Sequence, residues 1–140
     1  MSSTHPNRVL NNGHAYAREV IIPLTFDQIQ DTVKVQLAEI PANSVLVELD
    51  SLTTTAFTNA TTLQFAFRTF GGTSTNISTA DTITTAARDT VDVSAVPQFT
   101  EAMIITATAS VASSANVAGK VLVHIRYYNE GYRKEFYGAN

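Results

Sequence analysis

Three histidines, His5, His14 and His124, are the residues of this chain best suited to proton transfer or to holding a transition metal. Their spacing brings no two of them to one ion, since there is neither an H-x-H on a strand nor an H-E-x-x-H on a helix. His5 and His14 fall in an irregular N-terminal stretch, a poor platform for chemistry that needs sub-ångström placement. His124 falls on the outward side of a strand, where structural or interface duty is the better reading. Paired carboxylates do acid–base work when burial drives their pKa values apart. Glu48 and Asp50 share one face of "VELD", but that face reads as exposed. "DTVDV" offers Asp89 and Asp92 as oxygen ligands for calcium, against the plainer reading of solvated turn carboxylates. No serine sits in a G-x-S-x-G elbow, no G-x-x-x-x-G-K cradles a phosphate, and Gly71–Gly72 reads as a loop. The expectation is a protein that is not an enzyme and has no metal and no cofactor.

Binding signals are stronger. The C-terminal stretch "YYNEGYRKEFYGAN" gathers tyrosines, a phenylalanine, Arg133 and Lys134, with Arg126 just before it. Tyr and Arg are enriched where proteins meet, because each offers a broad contact plane with a polar end. The candidate protein-interface residues are therefore His124, Arg126, Tyr128, Tyr132, Arg133, Phe136 and Tyr137. The alternative is that these aromatics cap the last strand. A net charge of −3 speaks against nucleic acid, which calls for a clustered cationic face.

The elements that would position these residues are strands. In "AGKVLVHIRYYNEG", Val121, Val123, Ile125 and Tyr127 point one way, while Lys120, Leu122, His124, Arg126 and Tyr128 point the other. "REVIIPLTF" places Val20, Ile22, Leu24 and Phe26 on one face. Pro23 cannot donate to a ladder, so this strand belongs at an edge or carries a bulge. "TVKVQLAEI" puts Val33, Val35 and Leu37 inward and Lys34, Gln36 and Ala38 outward. "IPANS" makes a turn in which Asn43 tolerates a left-handed backbone. "SVLVELDSL" sets Val45, Val47 and Leu49 against Leu46, Glu48 and Asp50, and "TTLQFAFRTF" lines up Leu63, Phe65 and Phe67. "GGTSTNIST" reads as a loop. A helical turn near Ala80 to Ala87 followed by a strand "TVDVS" is one reading of the next stretch, and "EAMIITATASV" is another strand.

Six or seven short alternating strands predict an all-β fold, an antiparallel, jelly-roll-like β-sandwich with one wet face per sheet. Its organisation is an extended N-terminal arm over residues 1–17 and a single sandwich domain over 18–140, ending in the aromatic tail. The 140 residues suffice for one core, and charged residues are only 15% against 44% hydrophobic, which excludes a disordered chain. Ser and Thr make up about a fifth, and threonine's branched Cβ suits a pleated surface. The absence of cysteine excludes a disulfide scaffold and a thiolate zinc site. No signal-peptide core and no membrane-length apolar run stands out, so synthesis in a cytoplasm is expected.

The order of features resembles the small all-β virion proteins of tailed bacteriophages, particularly head decoration (cement) proteins. The resemblance rests on "VKVQLAEIPANSVLVELDSLTTTAF", on "TLQFAF" followed by a Gly-rich loop, and on "AGKVLVHIRYYNEG", and it covers approximately residues 20 to 135. Such proteins often have Gly where this chain has Asn43. The resemblance implies a capsid-surface protein, commonly a homotrimer, that braces neighbouring copies of a major capsid protein. It implies neither nucleic acid nor membrane as a partner. A carbohydrate- or receptor-binding module and a neck or tail component remain the alternatives.

Overall fold

A computed structural model of the chain describes residues 16–29, 34–59, 61–77, 81–110 and 116–129. These residues form nine strands and no helix: β1 (Tyr16–Thr25), β2 (Val35–Ile40), β3 (Ser44–Thr55), β4 (Thr62–Arg68), β5 (Thr75–Asn76), β6 (Asp81–Thr82), β7 (Arg88–Thr90), β8 (Met103–Ala109) and β9 (Lys120–Asn129). Among them no helix is long and apolar enough to cross a membrane. One sheet runs β1-β9-β3-β7 and the other β2-β8-β4-β5, with β6 also pairing β4, and every pairing is antiparallel. The pairings are nested: first strand with last, second with eighth, third with seventh, fourth with fifth. Most connections therefore cross from one sheet to the other, and the two sheets close over a common core as a β-sandwich.

Period-two alternation supplies that core. Leu24, Leu49, Val121, Val123 and Ile125 from one sheet meet Ile40, Leu63, Phe65, Ile105 and Ala107 from the other. Phe67 and Phe99 stack obliquely near the β2–β3 end, ring centroids 5.3 Å apart. Pro23 lies on β1, and β1 is an edge strand, as a residue without a donor N–H requires. Asn43 turns the chain between β2 and β3 with φ at 65°, a left-handed conformation that asparagine tolerates, and its N–H donates to the Phe99 carbonyl at 2.7 Å.

Two bulges redraw the expected faces. The β2–β8 register shifts between Gln36 and Ala38, leaving Leu37 as an extra residue, so Ala38 turns inward against the core instead of outward. The β3–β9 register shifts between Leu46 and Glu48 around Val47. Leu46 is consequently buried and Val45 exposed, the reverse of the expected alternation, while Leu49, Ser51 and Thr53 continue inward beyond the bulge.

The stretch after β5 also differs from expectation. Asp81–Thr82 adds to β4 as β6, and the chain then bends without helix, because a pairing partner on β4 outweighs a short alanine-rich run without caps. The strand falls at Arg88–Thr90, ahead of "TVDVS". Val91 and Val93 still pack on the core, and the Val91 N–H donates to the Leu49 carbonyl of β3 at 2.8 Å. Part of "GGTSTNIST" is strand as well, since Thr75–Asn76 pairs with Ala66–Phe67. The expected arm up to residue 15 and the tail from residue 130 lie outside the described residues.

Candidate functional site

The outer face of the β1-β9-β3-β7 sheet is a ladder of four rows set by register. Ala17, Tyr128 and Val45 form the first; Glu19, Arg126 and Glu48 the second; Ile21, His124 and Asp50 the third. Pro23, Leu122 and Leu52 form the fourth, with Arg88 of β7 beside Leu52. Large apolar side chains stand open to solvent between the charges: Ile21 is 64% exposed, Tyr128 46% and Val45 36%. A shallow depression of about 220 Å³ runs between Ile21, Leu52, Leu122, Asp50, Arg88 and His124.

The charged rows interlock. His124 Nε2 lies 3.5 Å from Glu19 Oε1, and its Nδ1 lies 3.7 Å from both Glu48 Oε1 and Asp50 Oδ2. Arg126 Nε is 3.6 Å from Glu48 Oε1, and Arg88 reaches Asp50 Oδ2 at 3.9 Å. Asp50 stands apart from the others because its residue is only 6% exposed, its Oδ1 has no hydrogen-bond donor, and its Oδ2 contacts are longer than hydrogen bonds. Burying a carboxylate without donors is costly.

Two buried asparagines fix the ends of this sheet. Asn129 Nδ2 donates to the Ala42 carbonyl at 3.0 Å and to Ser44 Oγ at 2.9 Å, tying the end of β9 to the β2–β3 turn. Asn116 Oδ1 accepts from the Asn59 N–H at 2.8 Å, and its Nδ2 donates to Thr61 Oγ1 at 3.1 Å, tying the segment before β9 to the β3–β4 crossing.

Of the residues expected at an interface, the fold brings His124, Arg126 and Tyr128 together on this face. Tyr132, Arg133, Phe136 and Tyr137 lie outside the described residues. Asp89 and Asp92, the suggested calcium pair, do not converge: Asp89 sits opposite Ser51, and Asp92 closes its own turn by accepting the Ser94 N–H at 2.9 Å. Among the described residues, the acidic and histidine side chains close enough to share one ion are Glu48, Asp50 and His124. The expectation that Glu48 and Asp50 lie on a freely exposed face is thus corrected, since Asp50 is buried and Glu48 half-buried. Glu19 was missed as a member of a site, and Glu48 and Asp50 were weighed as a carboxylate pair and set aside. Their trace in the sequence is an i, i+2 polar pair on the outward face of two strands, E48-x-D50 and H124-x-R126, flanked by Glu19 on a third.

No protein-family model matches this chain, and no curated protein does. Among solved structures it is similar to a chain of the cyanophage Pam1 capsid asymmetric unit, at 14% identity and a TM-score of 0.47, covering 82% of this chain and 86% of that one. It is also similar to chains of infectious bursal disease virus, Gt strain (14% identity, TM-score 0.48) and Gx strain (12%, 0.46), covering 84% of this chain in each case. The chain spans about a third of the length of those bursal disease virus chains. Likenesses this distant carry no argument about activity or partner.

Proposed function

We propose that this protein is a non-enzymatic structural component of a virion, a homotrimeric decoration protein that braces neighbouring copies of a major capsid protein. The observation that carries the reading is the outer face of the β1-β9-β3-β7 sheet, where Ile21, Tyr128 and Val45 stand exposed among charges that largely pair with one another. Internally paired charges lower the desolvation cost of covering such a face, and the open apolar side chains supply the gain. The nested strand order, with β5 and β6 counted as one edge, is that of a double-sheet jelly roll, an architecture used by viral capsid and lectin domains. The virion setting follows from the resemblance of residues 20–135 to head decoration proteins. Weak contacts repeated over a lattice then add up, because many copies act at once.

A carbohydrate-binding role would need rings arrayed for stacking. Among the described side chains Tyr128 is the one exposed tyrosine, and it stands on an open sheet face and not in a concave groove. The test is co-sedimentation with capsids. Ile21→Asp should strip the protein from the shell, whereas Gln64→Asp, on the outer face of the other sheet, should leave occupancy unchanged. Full occupancy of the folded Ile21→Asp protein would end the reading of this face, and capsids equally resistant to heat and osmotic shock without the protein would end the bracing role. A glycan array positive for the free protein would favour the lectin reading instead.

A further inference from the structure

We propose that Glu48, Asp50 and His124 bind a divalent transition-metal ion of the zinc class, with Glu19 holding the imidazole in place. The inference goes beyond a structural role and does not depend on what docks against the sheet. It starts from an imbalance on the page. Glu19, Glu48 and Asp50 bring three carboxylates to one imidazole, and Arg88 and Arg126 bring two guanidiniums, so the cluster is one positive charge short when His124 is neutral.

The orientation of His124 says where that charge belongs. Its Nε2 faces Glu19 Oε1 at 3.5 Å, a contact longer than an ordinary N–H···O hydrogen bond but on the side of the ring away from the other two carboxylates. Its Nδ1 faces Glu48 Oε1 and Asp50 Oδ2, each 3.7 Å away. A ring nitrogen and two carboxylate oxygens turned toward one another call for something positive between them, an ion or a proton. Metal-bound histidines are commonly supported in this way, the far nitrogen donating to a carboxylate while the near one holds the ion.

The spacing suits an ion better than a set of hydrogen bonds. Donors about 2.1 Å from a tetrahedral centre lie about 3.5 Å from one another. The two Nδ1-to-oxygen distances of 3.7 Å are a little longer than that, and the three ligand atoms all lie within 4.8 Å of one another. Glu48 is half-buried at the rim, so a small rotation of its side chain closes the remaining gap. Asp50 supplies a further pointer: it is more than nine-tenths buried, its Oδ1 has no hydrogen-bond partner, and its Oδ2 lies beyond hydrogen-bond distance of both Arg88 and His124. A buried oxygen without a donor is what a metal ligand looks like when its metal is taken away. One imidazole with two carboxylates favours zinc or a neighbouring first-row ion over calcium or magnesium, which select all-oxygen cages. Three protein ligands leave a fourth position for water.

The alternative is a second proton on His124 in place of the ion, and the experiment separates the two. The full chain, stripped with a chelator and exchanged into clean buffer, is titrated with Zn²⁺ by calorimetry and by competition with a chromophoric chelator. One saturable site per chain is expected. His124→Asn should weaken it by more than roughly 100-fold, and Glu48→Gln and Glu19→Gln by roughly 10- to 100-fold. The double substitution His5→Asn/His14→Asn should leave it unchanged, which separates the site from the histidines of the N-terminal stretch. Nitrogen-15 spectra of the imidazole should report metal on Nδ1, with Nε2 still carrying its proton. Glu48→Gln lies at the rim, so it keeps the test decisive even where His124→Asn impairs folding. The absence of saturable binding overturns the proposal, as do binding indifferent to Glu48→Gln, binding lost with His5 and His14, and metal on Nε2.

Discussion

The two outer faces of the sandwich stand on one core and have little else in common. On the β1-β9-β3-β7 sheet the outward positions hold Glu19, Glu48, Asp50, Arg88, His124 and Arg126, with large apolar side chains between them. On the β2-β8-β4-β5 sheet the matching rows pair Gln64 with Thr108, Ala66 with Thr106 and Arg68 with Ile104. Ala66 and Thr106 are nearly inaccessible although they point away from the core, and the Arg68 guanidinium folds back to donate to the Thr69 carbonyl at 3.2 Å. The inward alternation that builds the sandwich is the same in both sheets. Folding therefore constrains one side of each strand and leaves the other free, and the chemistry of this molecule has been placed on one of the two free sides.

The contrast holds only while both sheets share a core, so the largest effect comes from breaking that. Phe65 of β4 is fully buried against the opposite sheet. Phe65→Ala should cost about 3–5 kcal/mol in a denaturant titration and loosen both faces together. A loss confined to the β2-β8-β4-β5 sheet, seen as unchanged amide protection in β9, would show that the sheets are not one cooperative unit.

A smaller effect tests how the charged face is anchored. Gly119, just before β9, has φ at +152°, and a Cβ there would lie 2.5 Å from the Phe57 ring. Gly119→Ala should cost about 2–3 kcal/mol in the same titration, the sum of backbone strain and displacement of a buried ring. A change below about 0.5 kcal/mol would mean that the entry to β9 is more pliable than this packing implies.

A third substitution compares the faces directly. In metal-free protein Asp50→Asn should raise stability by about 1 kcal/mol, since it removes a buried charge that has no hydrogen-bond donor. Thr106→Val on the other face should change stability by less than about 0.5 kcal/mol. The Thr106 hydroxyl has a 3.5 Å contact with the Ala66 carbonyl and little else to lose. A destabilising Asp50→Asn would mean that the long contacts to Arg88 and His124 outweigh desolvation.

Asp92, on the loop after β7, gives the smallest and most local comparison. Its carboxylate accepts the Ser94 backbone N–H and then the Ser94 hydroxyl, which together hold its pKa below the ordinary aspartate value. A folded-state pKa that is depressed contributes stability above the unfolded value, and that contribution is lost as pH falls through the lowered one. Carbon-13 titration should place the Asp92 midpoint below that of a model peptide, and Ser94→Ala should move it part of the way back. An Asp92 midpoint at or above the peptide value would remove the contrast with the donor-free carboxylate of Asp50.

Much of the framework was legible because it follows from single strands. Alternation gave the inward residues of β1, β4 and β9, Pro23 gave an edge, and Asn43 gave a left-handed turn. The bulges at Leu37 and Val47 were not legible, because "QLA" and "LVE" carry no residue type that demands an extra position. The bulge at Val47 reversed the faces of Val45 and Leu46 only; Glu48 and Asp50 lie on the outer face as expected, and Asp50 is buried there beside its neighbours on that face. The site itself depends on register: Asp50 meets His124, and Glu19 and Glu48 flank Arg126, only when three strands distant in sequence align to the residue. Spacing along the chain cannot report such a meeting, which is why a search for H-x-H or H-E-x-x-H passes over it. The aromatic cluster was legible as composition, and of it the described residues hold Tyr127 inward and Tyr128 outward.

The nested pairing has a consequence for how the molecule comes into being. β9 is inserted between β1 and β3, so neither of those strands has its central neighbour until the chain has been made through Asn129. Until then β1 and the β9-facing side of β3 keep open ladder edges, while β2, β8 and β4 already have one another as partners. Pairing the first strand with the last closes the longest loop available, and that entropy is spent before any contact returns it. Completion of this sheet thus waits for β9, and an all-β fold with pairings this distant in sequence forms over roughly milliseconds to seconds. During that interval the exposed edges of β1 and β3 are a template for the wrong partner.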